Sequence, residues 1–86
     1  MEWDILDHSI YIRSGEGRIL GEVMFPEKQP GVFDIERTYT AEELIGSDLP
    51  AQLVDAAVKR IREQGGRITA SCPFALKYLH QKGVLR

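Results

Sequence analysis

Leu49, Leu53, Ala57 and Ile61 recur at every fourth position, with Val54 and Val58 beside them. That spacing puts six apolar side chains on one stripe of a helix of about four turns. Ser47-Asp48-Leu49-Pro50 reads as its start and Gly65-Gly66 as its stop. Before it, Val32 to Thr40 is rich in β-branched and aromatic residues and reads as a strand. After it, Arg67 to Ser71 reads as a shorter strand. Strand, helix, strand is a crossover: it makes the two strands parallel, and a right-handed connection is the strong default. The helix N-terminus then lies at the carboxyl end of the first of them.

The rest of the chain supplies antiparallel partners. His8 to Arg13 alternates, Ile10 and Ile12 pointing one way and Tyr11 and Arg13 the other. Ser14-Gly15-Glu16-Gly17 is a turn, and Arg18 to Phe25 is a second strand with Ile19, Val23 and Phe25 on one face. Their short connection makes a hairpin. Pro26 to Gly31 reads as a loop. In the third strand, Phe33, Ile35 and Tyr39 share a face, and Asp34, Glu36 and Thr38 share the other. Residues 1 to 7 are too weakly patterned to assign. Thr40-Ala41-Glu42-Glu43 fits a capping box, followed by one helical turn that Gly46 ends. Asp55 and Lys59 stand at i, i+4 on the wet side of the long helix. A final helix runs from Phe74 to Gln81, with Phe74, Leu76, Tyr78 and Leu79 apolar. The expected architecture is a mixed α/β single domain over 1–86. Three antiparallel strands lead into a β-α-β crossover that sets strand four parallel to strand three, and a C-terminal helix follows.

Composition narrows the function. A net charge of -2 gives no electrostatic case for binding nucleic acid or a membrane surface. The single cysteine excludes an internal disulfide and any multi-cysteine zinc site, and fits a reducing compartment. His8 and His80 lie far apart in sequence, so no metal cluster is expected. An acidic start, Met1-Glu2-Trp3-Asp4, and no long apolar stretch predict neither signal peptide nor transmembrane helix, and hence the cytoplasm.

Chemistry concentrates at two places. Ile68-Thr69-Ala70-Ser71-Cys72-Pro73-Phe74 runs from a buried strand into a helix, with Ser71 or Cys72 as N-cap and Pro73 in the first turn. A thiol there faces unpaired N–H groups and the positive end of the helix dipole, which favour the thiolate. On position alone, the plainer reading of Cys72 as a small buried apolar residue outweighs the reactive one. The second place is the start of the long helix. N–H groups of Ser47, Asp48, Leu49, Ala51 and Gln52 would point outward, a potential phosphate site. Glu36 and Arg37 near the end of the third strand read first as a solvated face with a cross-strand ion pair.

From Val32 to Leu79 the chain resembles the small single-domain branch of the GNAT superfamily of N-acetyltransferases. Arg37-Thr38 stands at the strand end, Ile45-Gly46-Ser47-Asp48-Leu49-Pro50-Ala51 takes the loop, and Gln52-Leu53-Val54-Asp55-Ala56-Ala57 opens the helix. Ala70-Ser71-Cys72-Pro73-Phe74 matches the family's cysteine motif best. The resemblance implies acetyl-coenzyme A as donor and an amine of unknown identity as acceptor. The pyrophosphate would lie on the loop and helix start, and the pantetheine in a cleft where strands three and four splay. The implied binding residues are Thr38, Tyr39, Thr40, Gly46, Ser47, Asp48, Leu49, Ala51, Gln52, Pro73 and Phe74. Cys72 and Arg37 are the implied catalytic pair: Cys72 as transient acetyl carrier or acid/base group, Arg37 favouring its thiolate.

The sequence also departs from the family pattern. The second loop glycine is Asp48, whose carboxylate repels a pyrophosphate and adds bulk. Pro50 removes a backbone donor. Ile45 replaces a basic residue, and Arg37 stands where the strand-end histidine is usual. These departures favour a second reading, a non-catalytic binding or interaction module that self-associates or binds protein through an exposed strand edge. Redox sensing at Cys72 is a weaker third, since it needs an intermolecular thiol partner.

Overall fold

The computed structural model describes residues 1–85. Seven strands and two helices follow one another: β1 (Glu2–Ile5), β2 (Ser9–Arg13), β3 (Ile19–Met24), β4 (Glu27–Gln29), β5 (Val32–Ile35), β6 (Arg37–Thr40), α1 (Leu49–Glu63), β7 (Arg67–Ala70) and α2 (Pro73–Gln81). A single 3-10 turn, Glu42–Leu44, precedes α1. The strands form two sheets, ordered β1-β2-β3-β6 and β4-β5-β7. All pairings are antiparallel except β5 with β7, which is parallel, as the crossover requires.

The expected third strand is two strands. The Glu36 N–H donates to the Met24 carbonyl at 3.0 Å, and Arg37 also stands opposite Met24. Two residues against one is a bulge, which bends the strand and shifts its phase. Before it Phe33 and Ile35 are buried; after it Tyr39 is exposed and Thr38 and Thr40 are half-buried. The expectation that Tyr39 shares a face with Phe33 and Ile35 therefore fails. The bulge hands the chain from one sheet to the other, so β6 pairs with β3 and leaves β7 behind.

Three other expectations change. Ile19 is exposed, because a bulge between Ile12 and Arg13 skips Leu20 and leaves Gly21, Val23 and Phe25 facing inward. The presumed loop contains β4, which folds back on β5. The N-terminal residues form β1, where Trp3 and Ile5 stand opposite Ile12 and Ile10 at the sheet edge.

α1 crosses both sheets and buries the whole expected stripe, Leu49, Leu53, Val54, Ala57, Val58 and Ile61. It packs on Ile10, Ile12, Val23 and Phe25 from one sheet and Phe33 and Ile35 from the other. Gly66 lets the chain return tightly under α1: a Cβ there would stand 2.5 Å from the Phe33 ring. In α2 only Ala75 and Leu79 are buried, while Phe74 and Leu76 are exposed. The wet-side Asp55 bonds Tyr78 rather than Lys59, so the expected i, i+4 pair does not form. No described helix is long and apolar enough to cross a membrane.

Candidate active site

The splay between β6 and β7 is built at Ile35. Its carbonyl accepts both the Ser71 and the Cys72 N–H, each at 3.1 Å, where β7 ends and α2 begins. Past that point β6 continues with β3 while α2 turns away. Between them lies a mainly apolar cleft of about 560 Å³. Ligand clefts generally span roughly 300–1,000 Å³. Its walls are Thr38, Tyr39 and Thr40 of β6, Ile45 to Asp48 of the loop, Pro50 and Ala51 of α1, and Phe74 and Tyr78 of α2.

One wall is a free strand edge. The Ala41 N–H bonds the Leu20 carbonyl, and the register pairs Tyr39 with Glu22. Hydrogen-bonded and non-hydrogen-bonded pairs alternate in an antiparallel ladder. Tyr39 therefore turns its backbone groups to β3, and Thr38 and Thr40 turn theirs to the cleft side.

The loop is held from within. The expected capping box does not form: Thr40 belongs to β6, Ala41 is the cap of the 3-10 turn, and Glu43 pairs with Arg18. Gly46 takes φ +91°, which glycine adopts at little cost. Ser47 Oγ donates to the Leu44 carbonyl at 2.6 Å and accepts the Leu49 N–H at 3.2 Å. The Ser47 N–H donates to Leu44 O, and Gln52 N–H to Asp48 O. Three of the five amides expected to face outward are thus satisfied inside the chain. Gly46, Asp48 and Ala51 keep N–H groups without a protein acceptor among the described residues. Asp48 is the N-cap residue of α1, yet its carboxylate makes no capping bond.

Cys72 is the N-cap of α2, with no side-chain cap bond, and Pro73 takes the first turn. Cys72 is only 7% exposed and does not form part of the cleft wall. Its S–H donates to Thr38 Oγ1 at 3.6 Å, and Thr38 is itself a wall residue of the cleft. Ser71 Oγ donates to Asp34 Oδ2 at 2.5 Å, and Thr69 Oγ1 to Asp34 Oδ1 at 2.7 Å, which fixes the strand end that carries Cys72.

The structure brings together Thr38, Tyr39, Thr40, Gly46, Ser47, Asp48, Ala51 and Phe74, with Cys72 behind them. It leaves out four residues. Arg37 lies on the opposite face of β6 from Thr38, 63% exposed and 4.0 Å from Glu22 Oε1, so it is not poised on the thiol. Leu49 is buried in the core. Gln52 lines a smaller depression with Leu44 and Met1. Pro73 shapes the turn without reaching the cleft.

Sequence reasoning passed over Pro50 and Tyr78 as wall residues and Asp34 as an anchor. Tyr78 follows Phe74 by one helical turn, and the two rings stack at 6.0 Å. The Tyr78 hydroxyl donates to both Asp55 oxygens at 3.0 Å, bracing α2 against α1. Partial burial, then that bond, raises the phenol above its ordinary value.

A second depression of about 620 Å³ lies between α1 and the C-terminal end, lined by Asp55, Val58, Lys59, Arg62, Glu63, Lys82 and Val84. It is open and mixed in charge, and holds neither the free amides nor the thiol. Among the described residues no group of histidine, cysteine, aspartate and glutamate could hold a metal ion.

Comparison with known proteins adds sequence and shape. The family described as "GCN5-related N-acetyl-transferase" matches residues 9–84. The solution structure of a GCN5-like protein of Staphylococcus aureus, described as a candidate N-acetyltransferase, superposes with a TM-score of 0.77 at 28% identity. That match covers 96% of this chain and 81% of the other. The crystal structure of ribosomal-protein-alanine N-acetyltransferase from Brucella melitensis biovar Abortus 2308 gives 0.63 at 19% identity. This second match covers 86% of this chain and 61% of the other, and speaks for the fold alone. No match was found among curated proteins.

Proposed function

Because the chain belongs to the GCN5-related N-acetyltransferase family, we propose that it moves an acetyl group from acetyl-coenzyme A to an amine. The observation that carries this reading is the cleft in the β6–β7 splay, which joins a free strand edge, a helix start with open amides and a nearby thiol. The Gly46, Asp48 and Ala51 N–H groups would receive the diphosphate. The backbone groups of Thr38 and Thr40 would pair with the amides of the pantetheine arm, and one of their N–H groups would polarise the thioester carbonyl.

In this reaction the amine nitrogen attacks the thioester carbon, the C–S bond breaks, and the leaving sulfur takes a proton. Cys72 holds one within reach. Its S–H donates to Thr38 Oγ1, and Thr38 lines the cleft. A proton passes from Cys72 through Thr38 to the leaving sulfur, and the proton shed by the amine returns to the thiolate. This relay suits a buried cysteine that does not line the cleft better than an acetyl-carrier role, which needs the sulfur itself on the wall. Arg37 has no part in it. A lone free thiol suits a reducing compartment, and we place the reaction in the cytoplasm.

Asp48 and Pro50 favour a second reading, a binding module whose phosphate loop has decayed. Calorimetric titration with acetyl-coenzyme A separates the two. Transfer predicts saturable heat and a thermal shift; neither at millimolar ligand leaves only the module.

A further inference from the structure

We propose that the site recognises its donor through the pantetheine thioester and that the nucleotide end of coenzyme A contributes little. The ligand class is then short, uncharged acyl-pantetheine thioesters, free or carried on a larger group. This rests on the transferase reading and deepens it.

The argument is the chemistry of the cleft wall. Among the described residues no lysine or arginine lines the cleft, and the one charged wall residue among them is Asp48, at the loop where a diphosphate would lie. The position that opens this loop is Ile45, 69% exposed. Ser47 cannot compensate, because its hydroxyl is tied to Leu44 and Leu49. Pro50 has no N–H. The remaining attraction is the open amides of Gly46, Asp48 and Ala51 with the helix dipole, and the Asp48 carboxylate opposes it at the same place. The cations around the Phe74–Tyr78 stack lie outside the cleft. Lys77 lines an adjoining depression that shares Phe74 and Tyr78 with the cleft, and Lys82 sits 5.6 Å from the Tyr78 ring centre, yet neither lysine lines the cleft itself. By contrast, the features that suit an amide-bearing, uncharged arm are intact: the free β6 edge and the apolar faces of Ile45, Pro50, Ala51 and Phe74. A ligand held by apolar contact and backbone pairing is recognised along its arm rather than at its charged end.

The test is calorimetric titration of the full chain with S-acetyl-pantetheine and with acetyl-coenzyme A. The expected result is dissociation constants within about tenfold of each other. The acetyl-coenzyme A value is expected to be nearly flat between about 50 and about 500 mM salt. Loss of more than about tenfold for S-acetyl-pantetheine, or a steep salt dependence, overturns the inference while the transferase reading stands. Failure of both ligands at millimolar concentration overturns both. Asp48→Asn gives an independent arm. It is expected to tighten acetyl-coenzyme A by at least about threefold and leave S-acetyl-pantetheine unchanged. An equal change in both ligands, or none in either, contradicts the assignment of Asp48 as the group that opposes the nucleotide.

Discussion

Cys72 and Thr38 are 34 residues apart in sequence and meet at 3.6 Å. If Thr38 relays the Cys72 proton, the two residues act on turnover and not on donor binding. Cys72→Ala is expected to keep acetyl-coenzyme A affinity within about twofold and to lower kcat by about a hundredfold. Thr38→Val should lower kcat similarly, and Thr38→Ser should restore most of it. Full activity in Thr38→Val would remove the relay, and an acetylated Cys72 trapped by mass spectrometry would restore the carrier role. Gly66 makes a prediction about packing. Gly66→Ala drives a methyl against the Phe33 ring and Ile61, and should cost about 1–3 kcal/mol in urea unfolding. The sequence announced Ser71 or Cys72 as a helix cap and Gly65-Gly66 as a stop. It could not announce Thr38 as the thiol's partner or Phe33 as the glycine's neighbour, because the first contact is made between the two sheets and the second between neighbouring strands distant in sequence.

The apolar stripe of α1 was legible in full because burial at helical spacing writes itself into residue type. The break at Glu36 was not. Phe33, Ile35 and Tyr39 look like one unbroken alternation, and only the competition for Met24 reveals the bulge. The capping box misled for a related reason: Thr40 is held in the β6 ladder, and Glu43 finds Arg18 instead. That pair ties the start of β3 to the turn that leads into the loop. The Arg18 guanidinium hydrogen-bonded to Glu43 holds its carboxyl down at about 2, against an ordinary 4.5. A carboxyl lowered on folding adds stability that is complete above its unfolded value and is lost as pH falls through the folded one. The melting-temperature gap between the native chain and Glu43→Gln should therefore be present at neutral pH and close as pH falls from 4.5 to about 2. A gap that stays constant over this window contradicts the pairing. Between the helices, Tyr78→Phe removes the brace on Asp55 and should cost about 0.5–1.5 kcal/mol, measured by denaturant unfolding.

At the scale of the molecule, one helix serves two sheets, and the site exists because the sheets part. β5 and β7 stay parallel up to Ile35 and Ala70, while β6 leaves with β3. The sequence predicted the crossover and the parallel pair. It did not predict that the strand preceding the crossover divides between sheets, and that division is what leaves an edge free beside α2. It also offered more outward amides than the fold provides, since a serine that folds back on Leu44 cannot be distinguished by type from one that faces solvent. The central claim is that the donor lies in this splay. Amide chemical-shift mapping during titration with acetyl-coenzyme A tests it most directly. The account predicts shifts along the cleft wall, largest at Thr38 and Thr40 and present at Gly46, Asp48 and Ala51; shifts confined to Lys59, Arg62 and Lys82 in the depression between α1 and the C-terminal end, or none at all, would contradict it.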